Sequence, residues 1–151
     1  MFEKEMKILG YYLKRVLNVE FDIIIMEGMN VTSQTDGSHI FVCKEWLEDL
    51  EDDLEILAML AHEAFHCFQI KAILDEILPP TLAYLWQEEF ANYQNPSVGL
   101  EEHWNQNIEK TATIFSDIVL YKLTNYHLNV RNKFEQKDID IVNSFNFDYE
   151  V

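Results

Sequence analysis

The strongest constraint on this fold is a long apolar segment of helical periodicity that holds two histidines and a glutamate in its middle. It starts after acidic residues 51–53, which suit the positive N-terminal end of a helix, and runs to about Leu78, before Pro79-Pro80. Apolar residues surround the motif His62-Glu63-Ala64-Phe65-His66. Burying two imidazoles and a carboxylate there without partners would be costly. The sequence therefore predicts a mostly buried helix that carries a polar site.

The spacing of the two histidines is typical of a zinc site. His62 and His66 are four residues apart, so both imidazoles rise from one helix face and can reach one tetrahedral Zn²⁺ at about 2.0–2.1 Å. Glu63 is offset around the helix, where its carboxylate can reach a zinc-bound water without being a ligand. There it can take the proton of the water and pass it to a leaving group. We predict His62 and His66 as metal ligands and Glu63 as the catalytic base.

A third protein ligand must come from another part of the chain. The extended pattern HExxHxxGxxH is absent, because Gln69 and Ala72 occupy the positions of its glycine and last histidine. A glutamate from a later helix is the remaining common solution. Glu109 is favoured, since it lies 43 positions after His66, enough for one helix, a loop and a return. The alternatives are Glu88 or Glu89, and then Glu101, Glu102 or, as a nitrogen ligand, His103.

Several more polar residues have lesser predicted roles. Gln69 is expected to donate a hydrogen bond near the site and not to take part in catalysis. His103 or His127 could stabilise an oxyanion, and so could Tyr84 or Tyr93. For these four, a solvated histidine and a core or interface tyrosine are the commoner outcomes.

The remaining pattern predicts an α+β fold that is mostly helical with a small N-terminal β-sheet. Residues 2–17 have a helical period, while 21–26 and His39–Cys43 read as strands of a sheet of two to four strands. Glycine and proline are scarce, which favours a single domain over 1–151. Further helices are predicted at 46–50, at 82–93 with Thr81 as N-cap, at 101–125, and within the ambiguous tail 131–151.

Charge and cysteine content limit the partners. With 27 acidic and 11 basic residues the net charge is -16, which disfavours binding to nucleic acid or to an anionic membrane surface.

Cys43 and Cys67 form no CxxC pair and are expected to be buried free thiols. The N-terminus lacks the pattern of a secretory signal, and no apolar run reaches the length of a membrane span. We expect a cytoplasmic protein; its oligomeric state is left open.

Residues 60–69 (LAHEAFHCFQ) resemble the active-site helix of minimal gluzincin-type metallopeptidases. The similarity is greatest to small phage-associated and Gram-positive bacterial proteins that read HExxHxxQ, then Trp and Glu, then a helix with ExxA. Gln69, Trp86, Glu89 and Tyr93 match the middle of that pattern, and 108–115 (IEKTATIF) match its last helix. The resemblance covers about residues 40–120. Residues 89–92 also resemble the ExxN run of repressor-cleaving peptidases, which keeps Glu89 open as a ligand.

The resemblance implies a site and a function. It implies His62, His66 and Glu109 as ligands, Glu63 as base, and strand His39–Cys43 as the edge along which an extended peptide substrate lies. Two positions depart from the pattern: Phe65 stands where relatives often have a basic residue, and Thr111 where they often have an acidic one.

The expected function is that of a zinc-dependent metallopeptidase acting on a peptide or protein. The alternative is a zinc-stabilised interaction module, or a degenerate peptidase without turnover. Glu63 favours the enzyme, since a structural site needs no base, whereas the short chain leaves little room for substrate subsites.

Overall fold

The structure is a computed structural model that describes residues 2–127 and 134–150. It is 60% helical with a small three-stranded sheet on the N-terminal side, which confirms the predicted α+β class. The elements in chain order are α1 Glu3–Leu17, β1 Asp22–Met26, β2 Ser33–Thr35, β3 His39–Cys43, α2 Lys44–Glu48, α3 Leu54–Leu74, α4 Pro80–Ala91, α5 Leu100–Asn105, α6 Asn107–Thr124 and α7 Gln136–Ser144.

The sheet has the strand order β1-β3-β2. β1 runs parallel to β3, with Asp22 opposite His39 and Met26 opposite Cys43, and β2 runs antiparallel to β3. The prediction that His39–Cys43 forms the edge is therefore wrong, because β3 is the central strand. β2 precedes β3 and is joined to it by a tight turn, in which Asp36 Oδ1 accepts hydrogen bonds from the amides of Ser38 and His39. The edge strand packed against α3 is β2.

Helix α3 is the helix that was predicted to carry the motif. It ends before the predicted position near Leu78. It ends at Leu74 in a Schellman motif, in which the Ile77 amide donates to the Ala72 carbonyl and the Glu76 amide to the Ile73 carbonyl. Glu76 takes the left-handed conformation, with φ 55°, that glycine usually supplies there. The missing glycine explains why the sequence pattern placed the end near Leu78.

The next three helices differ from the predicted boundaries. α4 begins at Pro80 after Pro79, so Thr81 is not its N-cap; proline suits the first helical position because its missing N–H is unpaired there anyway. The helix predicted over 101–125 is two helices, separated at Gln106, whose backbone is extended. The buried Gln106 amide donates to the carbonyls of Gln94 and His103 and accepts from the Gln94 amide. These hydrogen bonds stabilise the break between α5 and α6.

The core lies around α3, on which both α1 and α6 pack. Phe65 on α3 stacks on Phe115 of α6, with 5.1 Å between ring centroids, and makes an edge contact with Trp86 of α4. Phe145 and Phe147 from the tail complete this aromatic layer. The extra helix considered for the tail is confirmed as α7; residues 128–133 and 151, which the tail prediction included, lie outside the described residues. Within the described parts of the chain, no helix has both the length and the apolar character needed to cross a membrane.

Candidate metal centre

Three of the predicted site residues converge at the contact between α3 and α6. The Nε2 atoms of His62 and His66 lie 3.2 Å apart, and Glu109 Oε1 lies 2.8 Å from the first and 3.2 Å from the second. Among the described residues these three form the group of His, Cys, Asp and Glu side chains placed to share a metal ion. α3 supplies both imidazoles from one face, and the first turns of α6 supply the carboxylate.

The donor set and its spacing fit a zinc ion. The triangle formed by the three donor atoms has a circumradius of about 1.8 Å, so a point roughly 1 Å off its plane lies about 2.0–2.1 Å from each atom, the length of a zinc bond to nitrogen or oxygen. Two imidazoles and one carboxylate are a common ligand set for zinc enzymes that keep a fourth position open. Nitrogen and oxygen donors also suit other divalent transition metals.

Gln69 fixes the orientation of His66. His66 Nδ1 donates to Gln69 Oε1 at 2.8 Å, and the Gln69 amide in turn donates to the Ile108 carbonyl and to Thr111 Oγ1. Because those two contacts require an amide donor, the oxygen of Gln69 must face the imidazole. His66 therefore presents an unprotonated Nε2 to a metal. The expected hydrogen-bonding role of Gln69 is seen, although toward His66 it accepts rather than donates.

Thr113 fixes the orientation of His62 in a similar way. Its hydroxyl donates to the Glu109 carbonyl at 2.9 Å and lies 3.3 Å from His62 Nδ1, so its oxygen is free to accept from that nitrogen. His62 Nε2 is thereby directed at the Glu109 carboxylate. Hydrogen bonds of this kind hold metal-binding imidazoles in the correct tautomer.

Glu109 is buried and its carboxylate oxygens have different partners. Oε1 faces the two histidines, while Oε2 accepts a 2.6 Å hydrogen bond from the hydroxyl of Tyr93. Burial alone would raise the pKa of Glu109, but the imidazoles of His66 and His62 hold it well below its usual range. Burial alone would lower the pKa of His66, but Glu109 raises it to about 9. Each of these two groups therefore favours the charged form of the other.

Glu63 lies beside the cluster and contacts an edge strand. Its side chain is 8% exposed, and Oε1 accepts a hydrogen bond of 3.0 Å from Ser33 Oγ on β2. It is not one of the three convergent donors. On α3 it directly follows His62, and its charge contributes to the raised pKa of His66.

Glu89, the main alternative to Glu109 as third ligand, has a different structural role. Its two carboxylate oxygens accept from the amides of Asn107 and Ile108, at 2.9 and 2.8 Å, at the first turn of α6. Burial raises the pKa of Glu89, and these two amides oppose that shift. The structure thus places Glu89 as the cap of the helix that carries Glu109. The remaining candidate carboxylates are solvent-exposed, namely those of Glu88, Glu101 and Glu102.

His103 and Tyr93 lie at the centre, although only minor roles were expected of them. His103 is 6% exposed, contrary to the expectation of a solvated side chain, and its Nε2 lies 3.7 Å from Glu109 Oε1. Burial, and then the nearby Glu109 carboxylate, raise the pKa of Tyr93, so its phenol stays a hydrogen-bond donor. Tyr84 is 68% exposed, and His127 stacks on Tyr121 and contacts Asp117. No local sequence signal marks His103, because its burial depends on the break at Gln106.

The remaining predicted positions are accounted for by packing. Phe65 fills the aromatic core, and Thr111 binds Gln69 and the Asn107 carbonyl. Cys43 and Cys67 are buried free thiols, as predicted.

Comparisons of the chain with protein-family models, with curated proteins and with solved structures found no match.

Proposed function

We propose that this protein is a zinc-dependent metallopeptidase. The observation that carries the proposal is the convergence of His62 Nε2, His66 Nε2 and Glu109 Oε1, with Glu63 one residue along α3 and outside the donor group. A purely structural site has no use for a carboxylate at that place. The resemblance to gluzincin-type peptidases, which names the same four residues, agrees with this assignment.

The chain's own residues divide the chemistry between them. A bound zinc ion would polarise the scissile carbonyl and acidify a water molecule. Glu63 is the general base, and Ser33 Oγ orients its carboxylate. Gln69 and Thr113 hold the two imidazoles in the tautomer that leaves Nε2 unprotonated.

The substrate is proposed to be an extended peptide that pairs with β2. This strand carries Ser33, which contacts Glu63, and among the described residues it pairs with β3 alone, so its other edge is open. The net charge of -16 favours a cationic peptide and disfavours nucleic acid and anionic membranes. The two buried free thiols are compatible with action in the cytoplasm.

The variant Glu63→Gln tests this function. The glutamine keeps the shape and the oxygen that accepts from Ser33, so zinc content and thermal stability should stay near those of the parent protein. Peptide hydrolysis should fall about 10²-fold or more, the usual contribution of a positioned base. The matched control is Glu55→Gln, the same change at an exposed position of α3.

The assay compares new N-termini by mass spectrometry after incubation of each variant with lysate of the native host. Cleavages made by the parent protein and by Glu55→Gln, lost with Glu63→Gln and lost with a chelator, are the expected result. The same set of N-termini from all three proteins, each at full zinc occupancy, would contradict the enzyme proposal. It would support the second candidate, a zinc-stabilised interaction module, which the short chain favours because it leaves little room for substrate subsites.

A further inference from the structure

The three donor side chains of the proposed centre differ in how far solvent reaches them. The side chain of His62 is 16% exposed, whereas that of His66 is 8% exposed and that of Glu109 only 2%. A substrate atom that joins these donors must come from solvent. The side chains around His62 therefore border the path by which a substrate reaches the centre.

Trp104 of α5 lies on this more exposed side. Its indole is edge-on to the imidazole of His62, with 6.0 Å between ring centroids, and to that of the buried His103, with 4.6 Å. These two contacts hold the indole in place, yet Trp104 is still 48% exposed. A large aromatic surface is thus fixed next to the most exposed donor and is left open to solvent.

Leu100 extends this aromatic surface. It precedes Trp104 by four residues on α5, so the two side chains lie on the same face of the helix, one turn apart. Leu100 is exposed as well. Exposed apolar side chains that adjoin a binding site commonly form the surface that a ligand covers.

The β2 edge cannot by itself select a substrate. Backbone pairing with a strand contributes affinity, but the choice between sequences comes from surfaces that contact the peptide's side chains. Trp104 and Leu100 offer such a surface on a different element, beside His62. An aromatic or large aliphatic side chain suits it best, because apolar area then leaves water on both partners.

We propose that Trp104, together with Leu100, is the specificity-determining surface of the site and selects an aromatic or large aliphatic residue beside the scissile bond. This inference rests on the proposed peptidase function and names its substrate class. Removal of the indole should weaken binding of such a residue about 10-fold and leave binding of a small residue unchanged.

The test uses the zinc-loaded protein and the N-acetyl hydroxamates of phenylalanine, alanine and lysine. The hydroxamate group binds an open position on zinc, and the three probes differ only in their side chains. Calorimetry measures the Kd of each probe for the parent protein, Trp104→Ala and Leu100→Ala. The control is Tyr11→Ala, which removes an exposed aromatic side chain from α1. Circular dichroism checks that each variant is folded.

The parent protein and Tyr11→Ala should bind the phenylalanine probe about 10-fold more tightly than the alanine probe. Trp104→Ala should bind these two probes about equally, with Leu100→Ala in between; if Trp104→Ala does not fold, Leu100→Ala carries the comparison. An undiminished preference in the folded variants, or a preference of the parent protein for the lysine probe, would overturn the proposal. So would a dimer of the parent protein that Trp104→Ala dissociates in analytical ultracentrifugation, because the surface would then bind a second copy.

Failure of the peptidase proposal itself gives a different result. A zinc-loaded parent protein that binds none of the three probes has no open metal position, which would overturn the proposed function and this inference with it. Equal binding of all three probes by the parent protein would overturn the selective surface alone.

Discussion

Replacing Glu89 by alanine should destabilise the protein through α6 and not through loss of a metal ligand. Glu89 is half-buried and accepts from the first two amides of α6, those of Asn107 and Ile108, which lie two residues and one residue before Glu109. Those amides have no intrahelical partner, so the carboxylate both satisfies them and complements the positive end of the helix.

The size of the effect follows from what alanine leaves behind. Loss of a helix cap typically costs about 1 kcal/mol, and a hydrogen bond to a charged group contributes about 1.5–3 kcal/mol. Water can reach a half-buried site, so we expect a total loss of about 2–3 kcal/mol from the free energy of unfolding. For a chain of this size that loss corresponds to a Tm about 4–12 °C lower.

Thermal melts followed by circular dichroism, with urea denaturation for the free energy, measure this loss. Glu88→Ala is the matched control, because Glu88 is the exposed neighbour on α4. Glu89→Ala should still bind zinc, with an affinity reduced about 10–100-fold as for other changes behind a ligand. A Tm for Glu89→Ala equal to that of Glu88→Ala, or complete loss of zinc binding by a folded Glu89→Ala, would refute the capping role.

Two further predictions concern buried ionisable groups. Asp138 Oδ1 accepts from Asn107, but Oδ2 is buried and has no hydrogen-bond partner among the described residues, and burial raises the pKa of Asp138. Because the folded state holds this proton more tightly than the unfolded state, protonation of Asp138 stabilises the fold fully below the unfolded-state pKa, and this stabilisation is lost as the pH rises through the folded-state pKa. The Tm of Asp138→Asn should therefore increase relative to that of the parent protein between about pH 4 and pH 7. Parallel Tm profiles would contradict this. Burial raises the pKa of the Cys67 thiol to about 11, so peptide-mapped alkylation at about pH 8 should modify Cys67 roughly 10²-fold more slowly in the metal-free folded protein than in urea; equal rates would contradict it.

Local patterns predicted α3 and its motif because both depend on residues close in sequence. The apolar period placed the helix, and the four-residue spacing placed His62 and His66 on one face. The choice between Glu89 and Glu109 could not be made this way. Both lie on helices at plausible distances along the chain. What separates them is a tertiary contact, because the Glu89 carboxylate on α4 accepts from the first amides of α6.

The features that local patterns did not reveal all depend on contacts across the fold. The three residues of β2 are polar and too few for a strand pattern, so the edge strand was assigned to His39–Cys43. The break at Gln106 has no proline or glycine beside it and is held by hydrogen bonds to Gln94, 12 positions away. The burial of His103 follows from that break, which is why it was expected in solvent.

Zinc stoichiometry measured by native mass spectrometry after gentle dialysis tests the central claim most directly. The parent protein should hold close to one zinc per chain, and the double variant His62→Ala/His66→Ala should hold none, with Glu109→Ala greatly weakened. The double variant keeps all 27 acidic residues and so measures any metal held nonspecifically by the surface. Equal zinc content in the parent protein and the double variant would show that the metal binds elsewhere and would contradict the proposed centre.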